Sequence, residues 1–149
     1  MDLNLRHQVQ QRIAILIFMS NFQNKSEMLI ASAELSHESN YYPAVGHSAY
    51  YSCFLLLKHI WIYSMRKTQT ELESRCSINK VGTHEFLINE IGKYIKNNSN
   101  QEFREFNTKI VQLKKLRVTA DYDDSMFDFS KSSNSLSLSK DILPILKKY

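Results

Sequence analysis

Between Pro43 and Met65 the chain carries an apolar side chain on nearly every turn of a would-be helix, and this stretch restricts the fold more than any other. Val45, Ala49, Cys53, Leu56, Ile60 and Tyr63 recur at spacings of three and four, while Tyr50, Phe54, Leu57 and Trp61 trace a second stripe beside the first. A helix apolar over so wide an arc must be covered on more than one side, at the centre of a bundle or in a subunit interface. Its start is signalled by Asn40-Tyr41-Tyr42-Pro43: the residue before a proline is pushed off helical geometry, and proline itself suits the first turn of a new helix. Three glycines and two prolines are too few for the turn every 8–12 residues that an all-β chain requires. The expectation is an all-α protein.

Residues 4 to 19 place Leu5, Val9, Ile13, Leu16 and Ile17 at helical spacing and predict an additional N-terminal helix within 1–23, its run from Ile13 to Met19 covered by the bundle or by a second subunit. An N-cap at Asn24 or Ser26 starts a second helix reaching about Glu38, with Met28, Ala31 and Leu35 inward. Residues 66 to 81 are polar and without a clear period, which reads as a surface connection with a mobile middle. Thr83 is the natural N-cap of a helix that turns Phe86, Leu87, Ile91, Tyr94 and Ile95 inward, and Asn97-Asn98-Ser99-Asn100 ends it. From about Gln101 the next helix carries Phe103, Phe106, Ile110, Leu113, Leu116 and Ala120, and it runs into the acidic, aromatic segment from Asp121 to Phe129. The serines from Ser130 to Ser139 fit either a linker or the start of a last helix to Lys148, which would bury Leu136, Leu138, Ile142, Leu143 and Leu146 and be kinked by Pro144. The sum is one domain over 1–149, an up-and-down bundle of four to five helices plus the N-terminal one.

Several classes drop out. Cys53 and Cys76 lack a CxxC-type spacing, and two thiols in 149 residues fit a reducing compartment in which both stay free. The apolar run of seven from Ile13 is far short of the ~20 residues of a membrane span, so no membrane is expected and the location is read as cytoplasmic. No two of His7, His37, His47, His59 and His84 stand three or four residues apart, so the usual zinc pair is missing; neither a metal nor a cofactor is expected. There is no glycine-rich phosphate loop and no GxSxG turn. A formal charge of +4 fits an anionic partner, but so do many helical proteins without one.

The remaining chemistry gathers at Lys114-Lys115-Leu116-Arg117-Val118-Thr119-Ala120-Asp121-Tyr122. Residues four apart share a helix face, so Arg117 and Asp121 can meet, while Tyr122 sits roughly 140° round from Arg117. Read blandly, this is a surface ion pair worth ~0.3–0.5 kcal/mol beside a core tyrosine. Yet His47 and Ser48 interrupt an apolar helix one turn before Tyr51, and buried polar groups need partners. Arg117, Asp121 or Tyr122 on a neighbouring helix would supply them, and an arginine beside a histidine and a tyrosine makes a pocket suited to a phosphodiester.

Three segments resemble the HEPN domain family in order and separation: Tyr41 through Phe54 with its Gly46-His47-Ser48-Ala49-Tyr50-Tyr51 core, Thr83-His84-Glu85-Phe86, and Leu116-Arg117-Val118-Thr119-Ala120-Asp121-Tyr122. They are similar to the family's "small, polar, Ala-Tyr-Tyr" helix, its "Ser/Thr-His" helix start and its "Arg-x-x-Ala-Asp-Tyr" segment. The likeness runs over about residues 24 to 148 and leaves the N-terminal helix outside. It implies a dimerising helical bundle of prokaryotic toxin–antitoxin or defence systems, often a ribonuclease whose cleft forms where two arginine-bearing segments meet across the dimer. On that basis the candidate catalytic residues are Arg117, Tyr122, Asp121 and His47, and the candidate RNA-binding residues are Arg117, Lys114, Lys115 and His84. The implied partners are a second copy, an RNA or nucleotide, and a nucleotidyltransferase antitoxin.

The ribonuclease members follow the arginine after four to six residues with a histidine; here Tyr122 stands at that place and positions 122 to 124 hold none. Metal-free RNA cleavage needs a group of near-neutral pKa to take the 2′-hydroxyl proton, and a tyrosine at ~10 does not serve unless strongly shifted. His47 and His84 are the candidates to replace it from other helices. The alternative reading is a non-catalytic helical module that partners a small nucleotidyltransferase, with Tyr122 as a candidate acceptor of its modification.

Overall fold

The computed structural model describes residues 3–149, the side chains of residues 12 and 14–18 excepted. Seven α-helices are present among them and no strand: α1 (Leu3–Phe18), α2 (Asn21–Glu38), α3 (Tyr42–His59), α4 (Gln69–Asn79), α5 (Thr83–Lys96), α6 (Asn100–Tyr122) and α7 (Phe129–Leu146). The all-α expectation stands, with more helices than the four to five plus one expected.

α3 is the hub. Val45, Ala49, Tyr50, Cys53, Leu57, Ile60 and Trp61 are completely buried, and α2, α5, α6 and α7 all pack against it. Both sequence stripes are therefore covered, with one exception. Tyr63 is 53% exposed because the helix continues past His59 as a π-helical turn, Ile60–Ser64, in which the Met65 amide donates to the Ile60 carbonyl at 2.8 Å. The five-residue bond adds a residue to the turn and rotates everything beyond it off the 3.6-residue stripe.

Pairings across the bundle fix the directions. Ser20 at the start of α2 meets His59 at the end of α3, and the Ser26 hydroxyl donates to the Ser52 carbonyl, so α2 and α3 are antiparallel. His47 near the start of α3 meets Asp121 near the end of α6, which makes that pair antiparallel too. Gly46 lies against Phe127 just before α7, and Ser64 bonds the Tyr149 carbonyl at the chain's end, so α3 and α7 run parallel. The inward faces of α2 and α7 are rich in small side chains: Ser26, Ala33, Ser132, Ser135 and Ser139 are all buried. Those residues let helices approach closely, and the Ser135 and Ser139 hydroxyls are satisfied by donating to backbone carbonyls one turn back. The serine-rich patch is thus helix rather than linker, with Leu136, Leu138, Ile142, Leu143 and Leu146 buried and Pro144 inside the helix on its exposed side.

Other expectations change. α2 begins at Asn21, not after Asn24 or Ser26, because Ser20 caps it: its hydroxyl accepts from the Gln23 amide while the Gln23 side chain accepts from the Ser20 amide. The same cap ends α1 before residue 23. Met28, Ala31 and Leu35 face outward, Met28 and Leu35 at 68% and 64% exposed, since the small residues Ser26 and Ala33 take the inner face instead. α1 exposes Leu5, Val9 and Ile13 rather than burying them, while Leu16 and Ile17 lie outside the described side chains.

The stretch 66 to 81 is not an irregular connection: it contains α4, capped by the Thr68 hydroxyl on the Glu71 amide and anchored by buried Leu72. One buried leucine in eleven residues is too sparse a signal for a period to show. α5 starts one residue earlier than expected, with Gly82 as N-cap and Thr83 as its first helical residue, so no side chain caps it. Phe86, Leu87, Ile91 and Ile95 do face inward. Cys53 and Cys76 are free, and burial pushes the Cys53 thiol up to about 12, the state of a core residue rather than a nucleophile. Among the described residues no helix is long and apolar enough to cross a membrane.

Candidate functional site

The site forms where the first turns of α3 meet the last turns of α6, and Gly46 is what lets them meet. A Cβ placed on Gly46 would stand 2.8 Å from the Ala120 methyl and 2.8 Å from the Phe127 ring, so hydrogen is the only side chain that fits. The next residue on each helix, His47 and Asp121, then face each other. His47 Nδ1 lies 3.0 Å from both Asp121 carboxylate oxygens. The ring also packs on Tyr51, 4.6 Å between centroids. His47 is half-exposed and Asp121 largely covered.

One turn back on α6, Arg117 is buried to 7% exposure. Its guanidinium carbon sits 5.1 Å from the Tyr50 ring, 5.6 Å from Tyr51 and 5.9 Å from Tyr122, a cage of three aromatic faces that suits a planar cation. Its anionic neighbour is Asp121, but the Nη1–Oδ2 distance is 3.8 Å, long for a charge-assisted hydrogen bond. The expected Arg117–Asp121 pair is present, then, yet Asp121 gives its short contacts to His47. Arg117 Nε is buried with no hydrogen-bond partner. A buried guanidinium whose donors are incompletely used is costly unless an anion completes them.

Behind Tyr50 stands His84, in the first turn of α5. Its Nδ1 is 2.8 Å from the Tyr50 hydroxyl, and its ring stacks on Phe54 with centroids 4.1 Å apart at 13°. Burial, and after it the charges of Arg117, Lys114 and Lys58, push the imidazole down to about 4. His84 is therefore neutral at physiological pH, and its Nδ1 shares one hydrogen bond with the Tyr50 hydroxyl. Burial likewise raises the Tyr50 hydroxyl, with Arg117 pulling the other way, so Tyr50 stays protonated.

Of the sequence candidates, Arg117, Asp121, Tyr122, His47 and His84 converge on this cluster. Tyr122 is at its rim, 74% exposed. Lys114 and Lys115 line a neighbouring groove of about 680 Å³ between α5 and α6, with Glu85, Ile88, Asn89, Val111, Val118 and Thr119. Lys114 is near enough to act on His84, whereas Lys115 belongs to the groove alone. One residue of the cluster went unassigned in the sequence: Tyr50, read there as a core stripe. Lys58, on the Phe54 side of α3, turns its ammonium over the Phe22 ring of α2, 5.6 Å from the centroid. No group of three or more metal-ligating side chains occurs among the described residues.

Such an arrangement, a helical bundle with one caged arginine where α3 meets α6, defines a small all-α domain. The HEPN domain family matches residues 19–149, and the chain belongs to it; the matched region leaves α1 outside. No curated protein and no solved structure matches the chain. Family membership supports a nucleotide- or RNA-related function in general, and HEPN domains often dimerise.

Proposed function

We propose that this protein binds RNA or a nucleotide as a homodimer, with Arg117 as the ligand of a phosphate group. The observation that carries this reading is the state of Arg117: 7% exposed, held by three tyrosine rings, its one acidic neighbour at 3.8 Å and its Nε without a partner. A phosphate oxygen pair completes the fork that Asp121 leaves open. The homodimer draws support from the charge order along the end of α6 and the two residues that follow it. Lys114 and Lys115 precede Thr119 by five and four residues, and Asp123 and Asp124 follow it by four and five. Two copies packed antiparallel about a dyad there set lysines against aspartates and cover the exposed Val111 and Val118. The two Arg117 clefts then lie on either side of one axis.

His47 supplies what the missing motif histidine would do. Asp121 holds its Nδ1, so Nε2 is left toward solvent as the proton acceptor for a 2′-hydroxyl, the oriented-base arrangement found in hydrolytic sites. The 2′-oxygen attacks the adjacent phosphorus, the 5′-oxygen leaves, and Arg117 stabilises the charge gained by the phosphoryl oxygens. The resemblance to HEPN proteins of toxin–antitoxin and defence systems suggests the setting in which such chemistry would act. The test is labelled RNA with EDTA present, comparing wild type, Arg117→Ala and His47→Ala, with oligomeric state followed by sedimentation. Cleavage in the wild type that both variants lose supports the enzyme; binding without cleavage, lost in Arg117→Ala, supports the binder. An RNA that neither binds nor is cut by a dimeric wild type refutes both.

A second reading, a non-catalytic module partnering a nucleotidyltransferase, is favoured by Tyr122. Its ring is exposed while resting 5.9 Å from the Arg117 guanidinium, so an incoming triphosphate meets a cation beside the attacking hydroxyl. The Tyr122 oxygen would bond the α-phosphorus and pyrophosphate would leave, the phenolic proton passing to solvent. A mass increase on Tyr122, absent in Tyr122→Phe, is its signature.

A further inference from the structure

We infer that Tyr50 and His84 are positioning residues for Arg117: the hydrogen bond between them pins the ring on which the guanidinium rests, so that the start of α5 sets the aim of an arginine on α6. The inference rests on the reading of Arg117 as a phosphate ligand and adds what holds that side chain ready.

Polar contacts alone fix Arg117 poorly. Its carboxylate neighbour Asp121 stands 3.8 Å from Nη1 and gives its 3.0 Å contacts to His47, and Arg117 Nε is buried without a partner. Orientation must then come from the aromatic faces around the guanidinium. The three rings differ in how firmly they are held. Tyr122 is exposed on the last turn of α6 and Tyr51 is partly buried, whereas Tyr50 is completely enclosed and lies nearest, 5.1 Å from the guanidinium carbon.

Packing does not require a hydroxyl at this place, since Phe54 fills the next turn of the same stripe with a plain ring. A hydroxyl so deeply enclosed costs free energy unless it is paired. Its pair is His84, with Nδ1 at 2.8 Å. The imidazole is itself held from behind: it stacks on Phe54 with centroids 4.1 Å apart at 13°, and lies within 17° of the Tyr50 plane. Tyr51 stands at 81° to the Tyr50 ring, 5.4 Å between centroids. The hydrogen bond thus stops the far end of Tyr50 from swinging, while the rings on either side fix its plane. Burial, and after it the charge of Arg117, keeps His84 neutral, so no second cation opposes the guanidinium across the ring. His84 acts on Arg117 through Tyr50.

The experiment compares wild type with Tyr50→Phe, which keeps the ring and removes the hydroxyl; His84→Phe, which keeps a ring on Phe54 and removes the nitrogen; His84→Asn, whose amide can stand in for Nδ1; and Arg117→Gln. One readout is affinity for a deoxydinucleoside monophosphate, whose single phosphodiester lacks the 2′-hydroxyl needed for cleavage. The other, in the free protein, is the Arg117 Nε–Hε resonance and its exchange with solvent. In Tyr50→Phe and His84→Phe the affinity falls roughly two- to tenfold, the range of one net hydrogen bond, and the Nε–Hε signal shifts and exchanges faster while circular dichroism stays that of wild type. His84→Asn stays near wild type in both readouts. In the Arg117→Gln background, Tyr50→Phe changes the affinity no further. A bond that merely ties α3 to α5 lowers the melting temperature and leaves the Arg117 signal unmoved; that result overturns the inference, as does an equal affinity loss in the Arg117→Gln background. Should Arg117→Gln bind the probe as wild type does, the reading of Arg117 as a phosphate ligand falls instead, and the Nε–Hε signals of Tyr50→Phe and His84→Phe still decide the positioning.

Discussion

Gly46→Ala isolates the contact that builds the site. Carbon atoms rest against each other at ~3.5–4.0 Å, and the new methyl would meet the Ala120 Cβ and the Phe127 Cζ at 2.8 Å each. Ala120 is one atom from backbone and cannot yield, so α3 and α6 must part by the better part of an ångström while the Phe127 ring turns aside. Overpacking of this kind costs ~1–3 kcal/mol, and the better helix propensity of alanine offsets up to ~1 of it. The net is about 1–2 kcal/mol, a fall in Tm of roughly 2–8 °C for a chain of this size.

The neighbouring pair reports the same movement. His47 and Asp121 follow Gly46 and Ala120 directly and are 3.0 Å apart, so the separation takes them beyond good hydrogen-bond distance. Thermal melts by circular dichroism give the first quantity and the His47 ring resonances the second. Gly92→Ala is the control: its methyl would meet the edge of the Phe103 ring at 3.2 Å, the far end of a side chain that can swing, and its Tm should hold or rise. A Gly46→Ala protein that melts at or above wild type with unaltered His47 signals would refute the account of the α3–α6 contact.

Other outcomes rest on the same geometry. His84 titrates near 6.5 unfolded and about 4 folded, so the unfolded chain takes the proton first; its contribution to stability is full above ~6.5, declines as pH falls toward 4 and is gone below. The shift sets a ceiling of ~3 kcal/mol, which solvent screening of a half-exposed ring cuts to roughly 1–2, and the wild-type minus His84→Gln difference in urea midpoints between pH 7 and pH 4 measures it. Leu72→Ala removes the one buried anchor of α4 and should cost ~2–4 kcal/mol, with hydrogen exchange rising across 69–79 before the rest of the bundle; uniform exchange would refute the local role. Arg117→Lys keeps the charge but loses the planar fork and its stacking on three rings, so phosphate affinity should fall roughly tenfold or more while the fold survives. An affinity equal to wild type would show that charge alone suffices.

How much was legible beforehand depends on the range of the signal. Wherever a helix buries many large apolar residues, as in α3, α5 and α6, periodicity announced the element and its inner face. α2 misled because its inner face is Ser26 and Ala33: close packing against α3 selects small residues there, and hydrophobicity alone points to Met28 and Leu35 on the wrong side. α4 was missed because one leucine holds it. Most of the side chains that converge around Arg117 were picked out in the sequence, but which of them make the short contacts was not. Arg117 and Asp121 share a helix face, and that local rule made them partners; the crossing of α3 over α6 brought His47 closer to the carboxylate and left the arginine short of an anion.

Taken by itself, the order of residues determined what repeats along one helix: that the chain is helical, that α3 sits at the centre, and that Arg117 and Asp121 share one face of α6. These are consequences of a 3.6-residue turn and need no knowledge of any neighbour. Tertiary structure alone decided what meets across helices: the His47–Asp121 contact, the Tyr50–His84 bond and the tyrosine cage. Those depend on how closely two backbones approach, and at this site that distance is set by the absence of a side chain at Gly46.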